Sequence, residues 1–360
     1  MRERGASGLS YVAVAVIAAL LVSGVALALT PASVSASLGS AVCQILQLPG
    51  CADAGGTPDD HEQTPYERAT AGSAWFGGDS FASGEGIFSY DPATDTTTKT
   101  APNECHRSGS SYQAQVFALA RQRGAFASQD YASEACSGAI VSDLYSDNHL
   151  DNAGEGPQMY ASPQPADASA PFDNVPEDAS LITLSLGGND VGFADVVKAC
   201  ITEGLAGSGC EDTDALRSRF QSVYGTRDQP GTLEQQLAKL RAEHPDARII
   251  LVGYPEMFAE QRDLKKGFFT TMSLEEQRWA NEMARELNTA GSDMAERLGV
   301  EWVDPTSAYV GEGYDHRAGS SDPWINDLVG WGDSESFHPN QGGHDATAGL
   351  VWEQILTGGR

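Results

Sequence analysis

The sequence predicts a three-layer α/β/α domain built on a mostly parallel sheet, and three observations lead there. Short apolar strands recur at Ser73–Phe76, Ile182–Leu186, Arg248–Val252 and Val300–Val303. Helical patterns separate or follow them at Ser110–Arg123, Leu233–Glu243, Leu274–Leu298 and Gly343–Leu356. Strands alternating with helices favour a parallel sheet covered on both faces. The third observation is that the first two strands end in glycines followed by polar residues, and in parallel sheets active sites form at the carboxyl ends of strands.

The chain has 360 residues, with 50 Asp plus Glu against 22 Lys plus Arg, a formal charge of −28. Such a surface repels nucleic acid and anionic membrane faces, so neither is expected as a main partner. A composition 41% hydrophobic and 20% charged is that of a globular protein rather than a disordered acidic tail.

Tyr11–Leu29 is an uncharged apolar run of nineteen residues preceded by Arg2 and Arg4. A cleaved export signal has an apolar core of roughly 7–15 residues and a membrane span about 17–25, so the length favours a retained anchor. Ala26-Leu27-Ala28 nevertheless offers a small-residue cleavage site, and both readings of residues 1–30 stand. No Lys or Arg follows the run until Arg68, which places the rest outside the cytoplasm, secreted or tethered to the outer membrane face through residues 11–29. The stretch from Arg4 also resembles the processing site of pilin-like proteins, with Ser10 where a Glu is expected. Residues 31–70 read as an acidic, Gly- and Pro-rich linker and 71–360 as one catalytic domain, expected to be monomeric.

Six cysteines outside the cytoplasm read as disulfides, and fifteen pairings are open in principle. The short separations suggest Cys43–Cys51, Cys105–Cys136 and Cys200–Cys210. None of them has the CxxC or Cys/His spacing of a zinc site, so no metal is expected. Within the helices, Leu233, Leu237 and Leu240 fall at i, i+4, i+7 on one face, and Ser273-Leu-Glu-Glu276 is a capping box.

The chemistry concentrates at three places. The first strand runs into Gly77-Gly78-Asp79-Ser80, which presents a serine at the sheet edge; a second GDS at Gly332-Asp333-Ser334 follows no strand. The second runs into Gly187-Gly188-Asn189-Asp190, where Asn189 can offer an amide N–H to an oxyanion and Asp190 can bond loop N–H groups. The third is Glu335-Ser336-Phe337-His338-Pro339-Asn340, where the proline holds His338 on an extended turn ahead of the last helix. Among the other histidines, His106 is placed beside a disulfide cysteine and His316 and His344 lie in Gly-rich stretches. His61, His149 and His244 read as surface residues. The chain contains no G-x-S-x-G elbow and no phosphate-cradling G-x-x-x-x-G-K-[ST].

In order, GDS, the element Glu134–Ala139, GGND and HPN resemble the SGNH (GDSL) hydrolase family, and most closely its actinobacterial secreted esterases and lipases, over roughly residues 70–358. The resemblance implies a flavodoxin-like sandwich and hydrolysis of carboxylic esters, of lipid or short acyl type, without a metal or organic cofactor. It assigns Ser80 as nucleophile and His338 as general base, with Ser80 N–H, Gly138 N–H and the Asn189 side chain as oxyanion hole. The family commonly has Asp three residues before the histidine, and Glu335 stands there. Its carboxylate or its main-chain carbonyl is expected to orient the ring, with Asp333 as a further option. Deacetylation of a cell-wall or plant polysaccharide is the alternative within enzymes, which makes an acetylated glycan a second candidate substrate. A non-catalytic surface or pilus-associated module is the alternative from another class. Loops 86–104, 144–180 and 256–272 are expected to shape the pocket.

Overall fold

In the computed structural model, residues 62–96, 103–145, 171–192, 213–260, 264–266, 270–327, 329 and 335–358 are described. The apolar run 11–29, most of the linker, Asp333 and the pairs Cys43–Cys51 and Cys200–Cys210 lie outside them. Among the described residues no helix is long and apolar enough to cross a membrane.

Four parallel strands form the central sheet in the order β1 (Ser73–Gly78), β2 (Ala179–Ser185), β3 (Arg248–Val252) and β4 (Glu301–Val303). Side chains alternate across β3. Ile249 and Leu251 join the core on one face, and Ile250 and Val252 the core on the other. Burial on both faces is why these strands read as continuous apolar runs rather than alternating ones. The free edge of β1 is covered as well. Glu134 N–H donates to Phe76 O (2.8 Å) and Cys136 N–H to Gly78 O (2.9 Å). The Gln129 side chain adds a two-way bond to the Ala74 backbone.

Among the described residues the chain forms eight α-helices. They are α1 (Pro65–Ala69), α2 (Ser80–Ser83), α3 (Tyr112–Gln122), α4 (Thr213–Tyr224), α5 (Thr232–Glu243), α6 (Leu274–Leu298), α7 (Thr306–Tyr309) and α8 (Gln341–Thr357). One face of the sheet is covered by α3 and α8, the other by α4, α5 and α6. The predicted stripe of α5 is buried to completion or nearly so, and each such leucine contributes roughly 2 kcal/mol of hydrophobic stabilisation. The α6 capping box forms as its spacing requires: Ser273 Oγ accepts from Glu276 N–H, and Glu276 Oε2 from Ser273 N–H. By contrast, α4 was not anticipated. It buries only Leu216, Phe220, Val223 and Tyr224 among charged neighbours, so its apolar signal is thin.

His344 departs from the reading of a residue in a Gly-rich loop. It sits in the first turn of α8, 1% exposed, stacked on Tyr112, with Nδ1 accepting the Tyr112 N–H (3.3 Å). Burial pushes its imidazole from 6.5 down to about 4, and the nearby Glu85 carbonyl only partly offsets this. Below pH 6.5 the unfolded chain therefore takes up a proton at His344 that the folded chain refuses until about pH 4. The cost over that window is on the order of 3 kcal/mol. His344→Gln should flatten the fall in melting temperature between pH 6.5 and pH 4. Parallel curves for the two proteins would rule the effect out.

Candidate active site

The site stands at the carboxyl ends of β1 and β2. Gly78 pairs with Ser185 in the parallel register, and the chain then turns sharply, with Asp79 N–H donating to Ser185 O (2.8 Å). Only glycine fits this turn. Gly78 has φ +126°, and a Cβ there would lie 2.4 Å from the Ser185 carbonyl oxygen. Directly behind, the buried Gln113 of α3 spans both strands, its Nε2 donating to Gly77 O (2.8 Å) and Thr183 O (3.1 Å). Ser80 thus opens α2 with its side chain at the sheet edge.

Asp79 caps α2 by accepting the Phe81 N–H (3.0 Å), and its second oxygen accepts from the Tyr254 hydroxyl. Tyr254 follows β3, and its hydroxyl in turn accepts the Gly188 N–H at the end of β2 (2.9 Å). Burial pushes the Asp79 carboxyl up to about 7, against the lowering effect of these hydrogen bonds. Three strand ends are thereby joined through one buried polar group.

The oxyanion candidates converge on the same place. Asn189 Nδ2 donates to Ala139 O (2.9 Å), and Asp190 accepts the Val141 N–H at both carboxylate oxygens (3.0 and 3.1 Å). Burial raises the Asp190 carboxyl to about 6. On the other side, the Cys105–Cys136 disulfide and the Ser137 N–H to Cys105 O bond hold the start of the same segment. Gly138 is therefore clamped from both directions. Its N–H and that of Ser80 have no partner among the described residues, and Asn189 keeps a second amide hydrogen.

His338 comes from the far end of the chain, 258 residues from Ser80, and its Nε2 lies 2.7 Å from Ser80 Oγ. Its Nδ1 lies 3.2 Å from the Ser336 carbonyl, which fixes the tautomer: Nδ1–H donates to that oxygen, leaving Nε2 as the acceptor. The Glu335 carbonyl is engaged elsewhere, accepting the His338 main-chain N–H (3.3 Å) and Asn326 Nδ2 (3.3 Å). The Glu335 charge acts on Tyr90 and His106. Among the described residues, the oxygen that faces the ring is thus the carbonyl one residue after Glu335. An i−2 carbonyl carries no residue-type signal, so no motif could have revealed it.

His338 Nε2 meets Ser80 Oγ at 2.7 Å, Asn189 bonds the Gly138 block at Ala139 O, and Cys136 N–H ties that block to Gly78 O two residues before Ser80. A GDSL-like lipase/acylhydrolase family model matches residues 76–346. The chain belongs to the GDSL-like lipase/acylhydrolase family. It is a carboxylic ester hydrolase of the SGNH type. "Lipase 1" of Streptomyces coelicolor is 26% identical over 267 residues, which is 74% of this chain and 80% of that protein. Two solved structures share the fold. The crystal structure of the extracellular lipase of Streptomyces rimosus gives a TM-score of 0.55 at 23% identity, covering 79% of this chain and 99% of that one. That of phospholipase A1 from Streptomyces albidoflavus gives 0.54 at 25% identity, with the same coverage.

The disulfide closes a loop with a sequence separation of 31 residues, for which chain entropy gives about 3–4 kcal/mol. Replacing Cys105 and Cys136 by serine together should lower the melting temperature and, because Gly138 follows, lower kcat more than it changes KM. A variant with wild-type kcat would show that the Asn189 and Asp190 clamp suffices.

Proposed function

We propose that this chain is an exported serine esterase that cleaves carboxylic esters, of lipid or short acyl type, through an acyl-enzyme on Ser80. The single observation that best supports this is the 2.7 Å approach of His338 Nε2 to Ser80 Oγ beside two unpartnered backbone N–H groups. A serine hydroxyl is a weak nucleophile until a base takes its proton as it attacks. His338, its tautomer set by the Ser336 carbonyl, is the base. The tetrahedral oxyanion is received by Ser80 N–H, Gly138 N–H and Asn189 Nδ2, donors already in place before charge develops. His338 then returns the proton to the leaving alcohol, and water attacks the acyl-enzyme by the same route.

Export is supported by the apolar leader and by the extracellular lipase of S. rimosus, with which this chain shares its fold. Mass spectrometry of the N-terminus from the native host decides between the two readings of the leader, since a start near residue 29 or 37 excludes a retained anchor.

A p-nitrophenyl ester series from acetate to palmitate tests the activity. Ser80→Ala should lower kcat about 10⁴-fold or more, and Asn189→Ala about 10²-fold. A maximum at long chains marks a lipase, whereas activity confined to acetate, with acetylated xylan also cleaved, marks a glycan deacetylase. No hydrolysis of any ester would sink the reading. Glu335→Ala should cost far less than Ser80→Ala because a main-chain carbonyl already faces Nδ1. A loss equal to that of Ser80→Ala would make the Glu335 carboxylate indispensable.

A further inference from the structure

One carboxylate beside this site, Glu85, takes no part in the acyl transfer at Ser80. Glu85 lies five residues after Ser80 and is completely buried. Its Oε2 is 2.6 Å from His106 Nδ1, Oε1 accepts from the Tyr90 hydroxyl (3.4 Å), and the Ser137 hydroxyl bonds the same carboxylate. The His106 ring is stacked on Tyr90 at 4.7 Å, with Nε2 3.8 Å from Asp95. A buried carboxylate is retained only when paired and hydrogen-bonded, and His106, Tyr90 and Ser137 do both here.

Those partners are informative. His106 follows Cys105, and Ser137 lies between Cys136 and Gly138, so the carboxylate fastens both strands of the disulfide-linked segment that carries Gly138 N–H. On its other side is the general base. Gly86 has φ +94°, and a Cβ there would fall 2.9 Å from His338 Cβ and 2.5 Å from Pro339 O. Asn326 seals the contact, Nδ2 donating to Gly86 O (2.8 Å) and its N–H to His338 O (2.9 Å). The Gly86 backbone is therefore packed directly on His338, and the Glu85 carboxylate bonds Ser137 while lying near enough to His338 for the two charges to act on each other.

We propose that Glu85, paired with His106, is the positioning carboxylate of this active site: it fixes the Ser137–Gly138 peptide and places its negative charge where it supports the imidazolium formed at His338, the part for which Glu335 stands in the expected sequence position. Burial opposes ionisation at both groups. The hydrogen bond between them and the neighbouring charges outweigh it, holding the Glu85 carboxyl below its ordinary value and the His106 imidazole above its own. The charges facing Glu85 are His106 and His338, and those facing His106 are Glu85, Asp95 and Glu335.

This inference rests on the Ser80 and His338 reading, and the experiment separates the two. Glu85→Gln keeps the shape and loses the charge. Its kcat on a p-nitrophenyl ester should fall 10- to 100-fold with KM within about threefold, and the acidic limb of its kcat/KM profile should move to lower pH, because removing a nearby anion makes His338 easier to deprotonate. Glu335→Gln should stay within threefold of the wild type with its limb in place. A Glu85→Gln enzyme with unchanged kcat and limb, or both effects appearing in Glu335→Gln instead, overturns the proposal. Should Glu85→Gln not fold, Ser137→Ala carries the test: a tenfold fall in kcat at constant KM is expected, and an unchanged kcat overturns the role. If Ser80→Ala remains active, the underlying reading fails; if only the Glu85 and Ser137 variants behave as wild type, this inference alone fails.

Discussion

The arrangement depends on a geometric constraint at the end of β1, where the chain must leave the sheet within one residue and still stay tied to its neighbours. The parallel register sets Gly78 against Ser185, and the Asp79 N–H bond to Ser185 O continues that ladder one step into the turn. Everything that follows is braced to that point. Gln113 pins the carbonyls of Gly77 and Thr183, near the ends of both strands, and Asp79 reaches Tyr254, which holds Gly188. A loop held by backbone bonds alone could drift by an ångström, and catalytic geometry does not tolerate that drift.

The cost of this bracing is a set of buried polar groups. Asp79, Glu85 and His344 are withdrawn from water and Asp190 is half-buried, and each solves the problem differently. The Asp79 and Asp190 carboxyls are pushed upward, the His344 imidazole is pushed downward, and the Glu85 carboxyl is held below its ordinary value by its bond to His106. Such networks carry a heavy penalty if half satisfied and give rigidity when complete. Their concentration at the carboxyl edge of the sheet, above two apolar cores, matches the proposed need for donors fixed before the reaction begins.

How much of this could be read beforehand varies with the range of the interaction. The parallel strands showed themselves as apolar runs because both their faces are buried, and α6 through its capping box, a signal contained in four residues. The helix α4 was illegible because its buried stripe is short and diluted by charge. Ser80, Asn189 and His338 stood out because each follows a local pattern of glycine or proline that only a specific turn requires. Tyr254, Gln113 and Glu85 did not, since their closest hydrogen-bond partners, Asp79, Gly77 and His106, lie 175, 36 and 21 residues away and nothing beside them in the chain marks the contact. The ring-facing carbonyl of Ser336 is the extreme case, because every residue has a carbonyl and only the fold selects one.

The sequence by itself determined the fold class and the residue types that can act as nucleophile, base and oxyanion donor, and it suggested the pairing of Cys105 with Cys136. These follow from hydrophobic periodicity, turn chemistry and short separations, which are properties of neighbouring residues. The tertiary structure alone decided that Ser80 and His338 meet at 2.7 Å, that the Ser336 carbonyl rather than that of Glu335 faces the ring, and that Glu85 lies buried against His106 and Ser137. Those are distances between segments brought together by packing, and a linear pattern carries no record of them.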